Sequence, residues 1–454
     1  MDYVNRPFTN TVFVLTEDCN FRCEYCFIKN NPQRTNWDVC KSLVDYMSRT
    51  NKENARPHIQ FFGGEPLLEW SFIVETVNYA KTKPQEFRFG ITTNGSLLDE
   101  ERIMWLKKHQ VSILFSVDGP EHVQGIHRKT IDGENTWPLI EDNMRRCVEV
   151  GLAPTGRMTY TPQSLPYLAE SVEYLLDEIG FKTVAPTPDI DEFMKYSKED
   201  LEEWEKQYDK LYHRFKRKIQ VGEWPGLNYE TKCIRQFVAN RKMPAPGGAG
   251  RGMAGVSYDG GLYPCHRFVQ WPEWRFGDVW NGVTDPEVRK ITATHDVAEN
   301  NPKCVKCPNL FCGGQCLAAN YAVNGSTRAS AKEGCKTSLK QWQFSQRLWK
   351  DFSTHPNWQK LFPKYTPEAR ERNLKAKNEP QPSKAKPKPT PSKEPSQKQK
   401  PNQRLSPLEQ RIAKLEDTVY KMSRVVLDIA EGGKSNARSN CQGQPGSRAP
   451  KTYR

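Results

Sequence analysis

The sequence predicts an α/β fold built on a parallel sheet, and three observations carry that prediction. Six segments rich in β-branched and aromatic residues, at 11–16, 58–62, 87–92, 112–117, 155–160 and 181–185, punctuate the first two hundred residues. Amphipathic helical patterns at 37–47, 70–80, 100–108, 138–150 and 165–179 fill the gaps, and a further helix at 198–220 closes the region. Past Pro225 the rhythm stops and cysteines take over. Repeated strand–helix units force right-handed crossovers and a parallel sheet, either doubly wound or barrel-like. In both arrangements the loops after the strand C-terminal ends form the functional face.

The first strand runs directly into Cys19-Asn-Phe-Arg-Cys23-Glu-Tyr-Cys26. Three thiols on one tight loop hold three irons of a four-iron cluster and leave the fourth without a protein ligand; a zinc knuckle or core cysteines are the competing readings. After the second strand comes Gly63-Gly64-Glu65-Pro66. Paired glycines let the backbone approach a ligand, and the adjacent carboxylate suits an ammonium group. The third and fourth strands end in Thr93-Asn94-Gly95 and Ser116-Val117-Asp118, residue types that bond sugar hydroxyls or simply make turns. Cys40 and Cys147 fall on apolar helical stripes and read as core.

Beyond Pro225 stand Cys233, Cys265, Cys304, Cys307, Cys312, Cys316 and Cys335. Four thiols within thirteen residues, from Cys304 to Cys316, form a ligand pattern that suits iron–sulfur clusters or tetrahedral zinc. Thirteen cysteines in a reducing compartment point to metal or redox chemistry rather than disulfides. Neither end resembles a targeting signal and no apolar run is long enough for a membrane span, so a cytoplasmic protein without membrane contact is expected.

The formal charge of +13 is unevenly placed. From Lys364 onward there are 21 basic and nine acidic residues, which leaves the preceding 363 residues almost neutral. A nucleic-acid partner is therefore expected only through this tail, if at all. Residues 375–404 form a Lys/Pro-rich tract too polar to fold, and Leu408, Ile412, Leu415, Val419, Met422, Val426 and Ile429 follow heptad spacing. A disordered linker, a short coiled coil at 405–431 able to form a weak homodimer, and a disordered tail at 432–454 are expected.

Taken in order, the three-cysteine loop, Gly63-Gly64-Glu65-Pro66 and the polar ends of strands three and four resemble the radical S-adenosylmethionine (SAM) superfamily. The later cysteines resemble the SPASM extension of its peptide-modifying members. The resemblance spans roughly residues 8 to 345. It implies a partial (β/α)6 TIM-like barrel at 1–222, a Cys-rich SPASM-type domain at 223–345 and a closing helical segment at 346–374.

By the same resemblance, Cys19, Cys23 and Cys26 would bind a [4Fe–4S] cluster, with Phe21 and Tyr25 shielding it. Gly63, Gly64, Glu65 and Pro66 would meet the methionyl group of SAM, with Asn94, Ser116 and Asp118 toward the ribose. Reductive cleavage of SAM would yield a 5′-deoxyadenosyl radical that abstracts hydrogen from a peptide or protein substrate. Cys304, Cys307, Cys312 and Cys335 would complete one auxiliary [4Fe–4S] cluster. Cys265 and Cys316, with Cys233, would hold another, although Gly247 stands where relatives carry a further cysteine. An external electron donor such as flavodoxin or ferredoxin is implied. With ten residues before the first strand, substrate capture is expected at the barrel mouth, the extension or a separate protein.

Sulfatase-maturating relatives place an acidic base after the cysteine equivalent to Cys265, whereas this chain has His266, a proton-shuttle candidate or a buried, satisfied imidazole. Thioether or crosslink formation on a peptide is the leading expectation. A formylglycine-forming oxidase is the alternative, and a zinc-stabilised scaffold or nucleic-acid-binding protein is the alternative of another class.

Overall fold

The computed structural model describes residues 6–189, 195–243, 247–294 and 302–378. The expected coiled coil and tail, and all but the first residues of the expected linker, lie outside them. Six parallel strands form as the periodicity predicts: β1 (Asn10–Thr16), β2 (His58–Gly63), β3 (Arg88–Thr93), β4 (Ser112–Ser116), β5 (Thr155–Tyr160) and β6 (Thr183–Pro188). They pair consecutively, each with the next. Between them run α1 (Trp37–Thr50), α2 (Trp70–Ala80), α3 (Glu100–Lys108), α4 (Glu121–His127), α5 (Glu141–Glu149) and α6 (Leu168–Glu173), with α7 (Lys198–Val221) after β6.

Local chemistry sets the helix ends. The Asn36 carboxamide accepts from the Val39 N–H and the Asp99 carboxylate from the Arg102 N–H, satisfying donors at the first turns of α1 and α3. Ser197 and Asp200 form a reciprocal capping box on α7, which ends at a left-handed Gly222. The helices expected at 138–150 and 165–179 are each broken. Pro138 and Pro166 lie in 3-10 turns that precede α5 and α6, since proline offers no N–H for an interior helical bond. After α6, residues Tyr174–Glu178 widen to a π-turn.

The sixth strand starts later than its apolar run suggested. Phe181 is core, whereas the ladder to β5 runs from Thr183 to Pro188. Pro186 and Pro188 are tolerated because β6 is the sheet edge, where missing donors break no ladder.

The larger correction concerns residues beyond Pro225. Four further strands, β7 (Met253–Val256), β8 (Gly261–Tyr263), β9 (Gly277–Asp278) and β10 (Gly282–Val283), join the same sheet, giving the order β10-β9-β8-β7-β1-β2-β3-β4-β5-β6. β7 lies parallel to β1, with Asn10 opposite Met253 and Phe13 opposite Val256. The boundary expected at 222/223 therefore does not divide the sheet, and β1, buried from Thr11 to Thr16, becomes its centre. Cys40 and Cys147 are fully buried in the core, as expected.

Helix α8 (Asn228–Ala239) and helices Lys332–Phe352, Pro356–Leu361 and Pro367–Asn378 complete the described chain. The Trp204 and Tyr208 rings of α7 stack at 3.5 Å, Tyr208 meets Phe344 edge-on at 5.0 Å, and Phe215 packs on Trp358. Residues 375–378, expected to begin the linker, instead end a helix.

Candidate active site

The chain leaves β1 and turns at once into the thiol loop. Cys26 N–H donates to Cys23 O at 3.0 Å, which puts the last two thiols on one turn. Arg22 and Glu24 donate their N–H groups to Lys129 O and His127 O, tying the loop to the segment at the end of α4. Phe21 is buried beneath, and its N–H donates to Cys19 Sγ at 3.3 Å. Arg128 Nη1 reaches Cys23 Sγ at 4.0 Å.

Burial pushes the Cys19 thiol up to about 12 and Cys23 to about 11, and the neighbouring thiols add to both shifts. Three crowded thiols that resist ionisation alone are stabilised as thiolates by a group bringing several positive charges, so this donor set fits an iron–sulfur cluster.

Glycines 63 and 64 stand where β2 ends against the loop after β1. A Cβ on Gly64 would lie 2.1 Å from Asp18 O, so only glycine permits this approach. Glu65 is fully buried. Its carboxylate accepts from Leu67 N–H, from Thr93 Oγ1 at 2.7 Å and from Asn94 N–H at 2.7 Å, bracketing the end of β2 to the end of β3. Desolvation dominates these bonds and raises its pKa to about 7. A buried carboxylate held there suits a cationic ligand group, and Pro66 opens the 3-10 turn that follows.

Two residues expected near a ribose make bonds within the protein. The Asn94 amide donates to Asn20 Oδ1 at 2.9 Å and toward Cys19 Sγ at 4.0 Å, while its oxygen accepts from the N–H and hydroxyl of Ser96. Asp118 faces Arg128 Nη2 and Nε, each at 3.0 Å, and accepts from Thr159 N–H and the Tyr25 hydroxyl. With four neighbours around two oxygens, Asp118 is committed to holding the loop. Tyr25 thus anchors the loop to Asp118, and the Arg128 guanidinium lies 5.4 Å from its ring centroid. Ser116 is half-buried at the end of β4 and in register with Arg157 of β5.

Arg128 and Arg157 are the residues sequence reasoning missed. Burial opposes the charge on Arg128, but Asp118, Tyr25 and Cys23 outweigh it and raise its pKa. Burial lowers Arg157 to about 10, and Arg128 adds to the shift. Arg157 bonds Thr187 Oγ1 and Ala185 O and has no carboxylate partner among the described residues. An arginine inside a strand otherwise facing the core was the available signal.

His266 arrives from the far side of the sheet. Gly255 of β7 lets it in, since a Cβ there would lie 2.6 Å from His266 N and 2.4 Å from the Cys265 carbonyl carbon. Its ring sits 4.7 Å from Phe62 and 5.9 Å from Phe27, beside both the glycine pair and the thiol loop. Nδ1 is buried and has no hydrogen-bond partner among the described residues, unlike the satisfied imidazole that was the competing expectation. Burial, with Arg267 and Arg157, pulls its pKa down to about 3 and keeps the ring neutral.

The later cysteines fall into groups by mutual electrostatic influence. Cys335 feels Cys312, Cys304 and Cys307, the four expected to act together. Burial raises Cys265 to about 12, and Cys316 is the next cause. Cys233 is fully buried on α8, and Gly247 faces open space. Among the described residues no three His, Cys, Asp or Glu side chains converge on a single ion, as a tetrahedral zinc would ask. Thiolates of a four-iron cluster each meet a separate iron and need not converge. Among the described residues no helix is long and apolar enough to cross a membrane.

Comparison with known proteins adds to this geometry. A model of the radical SAM superfamily matches residues 13–175. An uncharacterized protein of Methanocaldococcus jannaschii is 30% identical over 202 residues, covering 40% of this chain and 68% of that one. A cysteine-type anaerobic sulfatase-maturating enzyme of Clostridium perfringens is 22% identical over 349 residues, covering 68% of this chain and 89% of the relative. The solved structure described as native anSMEcpe with bound AdoMet and Cp18Cys peptide shares the fold, with a TM-score of 0.64 at 19% identity over 75% of this chain and 98% of that one. These matches displace the zinc-scaffold reading: the family uses a [4Fe–4S] cluster and SAM, and the chain belongs to the radical SAM superfamily as one of its enzymes.

Proposed function

We propose that this enzyme modifies a side chain of a peptide or protein, forming a thioether or related crosslink. The observation that carries the reading is the neutral His266, its Nδ1 unpartnered, beside the thiol loop and the glycine pair. When bound, the cluster and SAM supply a carbon-centred radical that removes a hydrogen atom from substrate.

The chain's own residues would do the rest. Cys19, Cys23 and Cys26 would hold the cluster; Gly63, Gly64 and Glu65 would receive the ammonium of SAM, and Arg157 with Ser116 an anionic or hydroxyl group. Phe27 and Phe62 exclude water around the imidazole. A ring whose pKa is near 3 accepts a hydrogen bond but is a poor proton acceptor, which favours bond formation over an oxidation that needs a strong base at this place. The cysteine sets at Cys304–Cys335 and around Cys265 would hold auxiliary clusters, and a flavodoxin- or ferredoxin-type protein would deliver electrons.

A second reading, oxidation of a substrate cysteine to formylglycine, is favoured by the similarity to the Clostridium perfringens enzyme. Anaerobic incubation with Cys-containing peptides, SAM and reductant separates the two by mass spectrometry. Loss of two hydrogens with a new intrapeptide link supports the first. Exchange of the cysteine sulfur for oxygen together with the loss of two hydrogens overturns it in favour of the second.

A further inference from the structure

We propose that a second subsite, beside the radical centre, binds a carboxylate of the substrate together with an adjoining peptide bond; this rests on the peptide-modifying reading above. A cavity of about 540 Å³ lies between the end of β6, α8, the Cys312–Cys316 turn and the helix Lys332–Phe352. Lys232, Arg235 and Arg241 line it, no Asp or Glu does, and none of the three cations has a carboxylate partner among the described residues. Such a wall attracts an anion and repels a cation.

Gln315 identifies the rest of the ligand. It is 5% exposed, lines the same cavity, and neither its Oε1 nor its Nε2 has a hydrogen-bond partner among the described residues. Gly334 leaves the room in which it rests: a Cβ there would lie 1.9 Å from Oε1. One buried acceptor beside one buried donor matches the N–H and C=O of a peptide unit.

A hydrogen bond ties the cavity wall to the strand beside the radical centre. Thr187 on its wall takes a hydrogen bond from Arg157, the neighbour of Ser116 on the sheet. A peptide held by its acid and backbone at Gln315 would extend past β6 toward the thiol loop.

The test uses the full-length, anaerobically reconstituted enzyme and fluorescein-labelled Gly-Glu-Gly-Glu-Gly, its Gln counterpart, and C-terminally amidated forms of both, read by fluorescence anisotropy. The expected result is at least roughly tenfold tighter binding of the Glu peptide than of the Gln peptide. Arg235→Gln and Lys232→Gln should erase that preference, while Gln315→Leu should weaken both peptides alike. The Glu preference should survive amidation, which assigns the acid to a side chain rather than to the chain terminus. Should Gln315→Leu not fold, Gln315→Glu replaces it and should repel the Glu peptide selectively.

Equal affinity for Glu and Gln peptides overturns the proposal. So does a loss of iron from Arg235→Gln and Lys232→Gln in step with the lost preference, which would assign the cations to a cluster at Cys316. Failure of the peptide-modifying reading looks different: no mass change on any peptide, with the acid preference intact.

Discussion

The two thiol regions are built on opposite plans. Cys19, Cys23 and Cys26 share one eight-residue loop pinned from three sides: by Asn94 at the end of β3, by Asp118 and Arg128 after β4, and by Phe21 in the core beneath. The later thiols are gathered from distant parts of the chain, with Cys265 after β8, Cys304 to Cys316 on short turns, and Cys335 on the first turn of a helix. A short loop held by neighbouring strands has its geometry dictated locally. A set gathered over a hundred residues depends on the whole fold being in place. The first plan suits one fixed chemistry shared by a family, and the second suits reaction-specific variation.

The sharpest way to break this contrast is to remove one thiol from each region. Cys23→Ser should abolish SAM cleavage, a loss above about 1,000-fold in 5′-deoxyadenosine formation, because the loop carries no fourth thiol to replace it. Cys312→Ser should retain substrate-independent SAM cleavage within about tenfold while lowering iron content and peptide modification. Equal loss of SAM cleavage in both variants would merge the two regions into one functional unit.

The pinning itself is next in size. Arg128→Met leaves Asp118 buried without its guanidinium and should destabilise the protein by about 3–5 kcal/mol in urea unfolding. Arg128→Met with Asp118→Asn should recover much of that loss, since the pair rather than either charge is what the site requires. A cost below about 1 kcal/mol for the single variant would show that the loop holds its shape without this side.

Glu65 provides a pH signature on the strand side of the loop. Its carboxyl is raised from 4.5 to about 7, so the folded state keeps its proton where the unfolded chain has lost it. The resulting stability is fully present below about pH 4.5, falls as pH rises, and is lost above about pH 7. In SAM-free protein the wild type should therefore lose about 3 kcal/mol across that window relative to Glu65→Gln. Glu230, raised to about 7 by the same cause, titrates in both proteins and cancels from the comparison. Parallel pH curves for the two would assign the Glu65 burial no electrostatic cost.

The smallest expected effect concerns His266. Because its ring stays neutral down to about pH 3, the pH–rate profile between pH 6 and 8 should be the same for wild type and His266→Gln. A limb near neutrality that vanishes in the variant would restore a proton-shuttle role.

The legible parts of this chain are those where local pattern and tertiary role agree. The six parallel strands, the capped helices α1, α3 and α7 and the core positions of Cys40 and Cys147 follow from periodicity and cap chemistry within short windows. The strands β7 to β10 were not legible, because two to four residues give no periodicity and their assignment depends on pairing with β1. Polar strand ends were legible as candidate site residues, but not the bonds that they make. Nothing in Asn94 or Asp118 alone reveals that Asn20, Tyr25 and Arg128 bond to them.

By itself the sequence determined the parallel α/β core, the thiol loop after its first strand and the family those motifs carry, since each arises from residues close together along the chain. Only the tertiary structure decided that the cysteine-rich half extends the same sheet, that His266 packs beside the loop, and that Gln315 shares a cavity with three cations that have no carboxylate partner among the described residues. The physical reason is separation. Burial and mutual charge act through space between residues distant in the chain, and no window of sequence contains both partners.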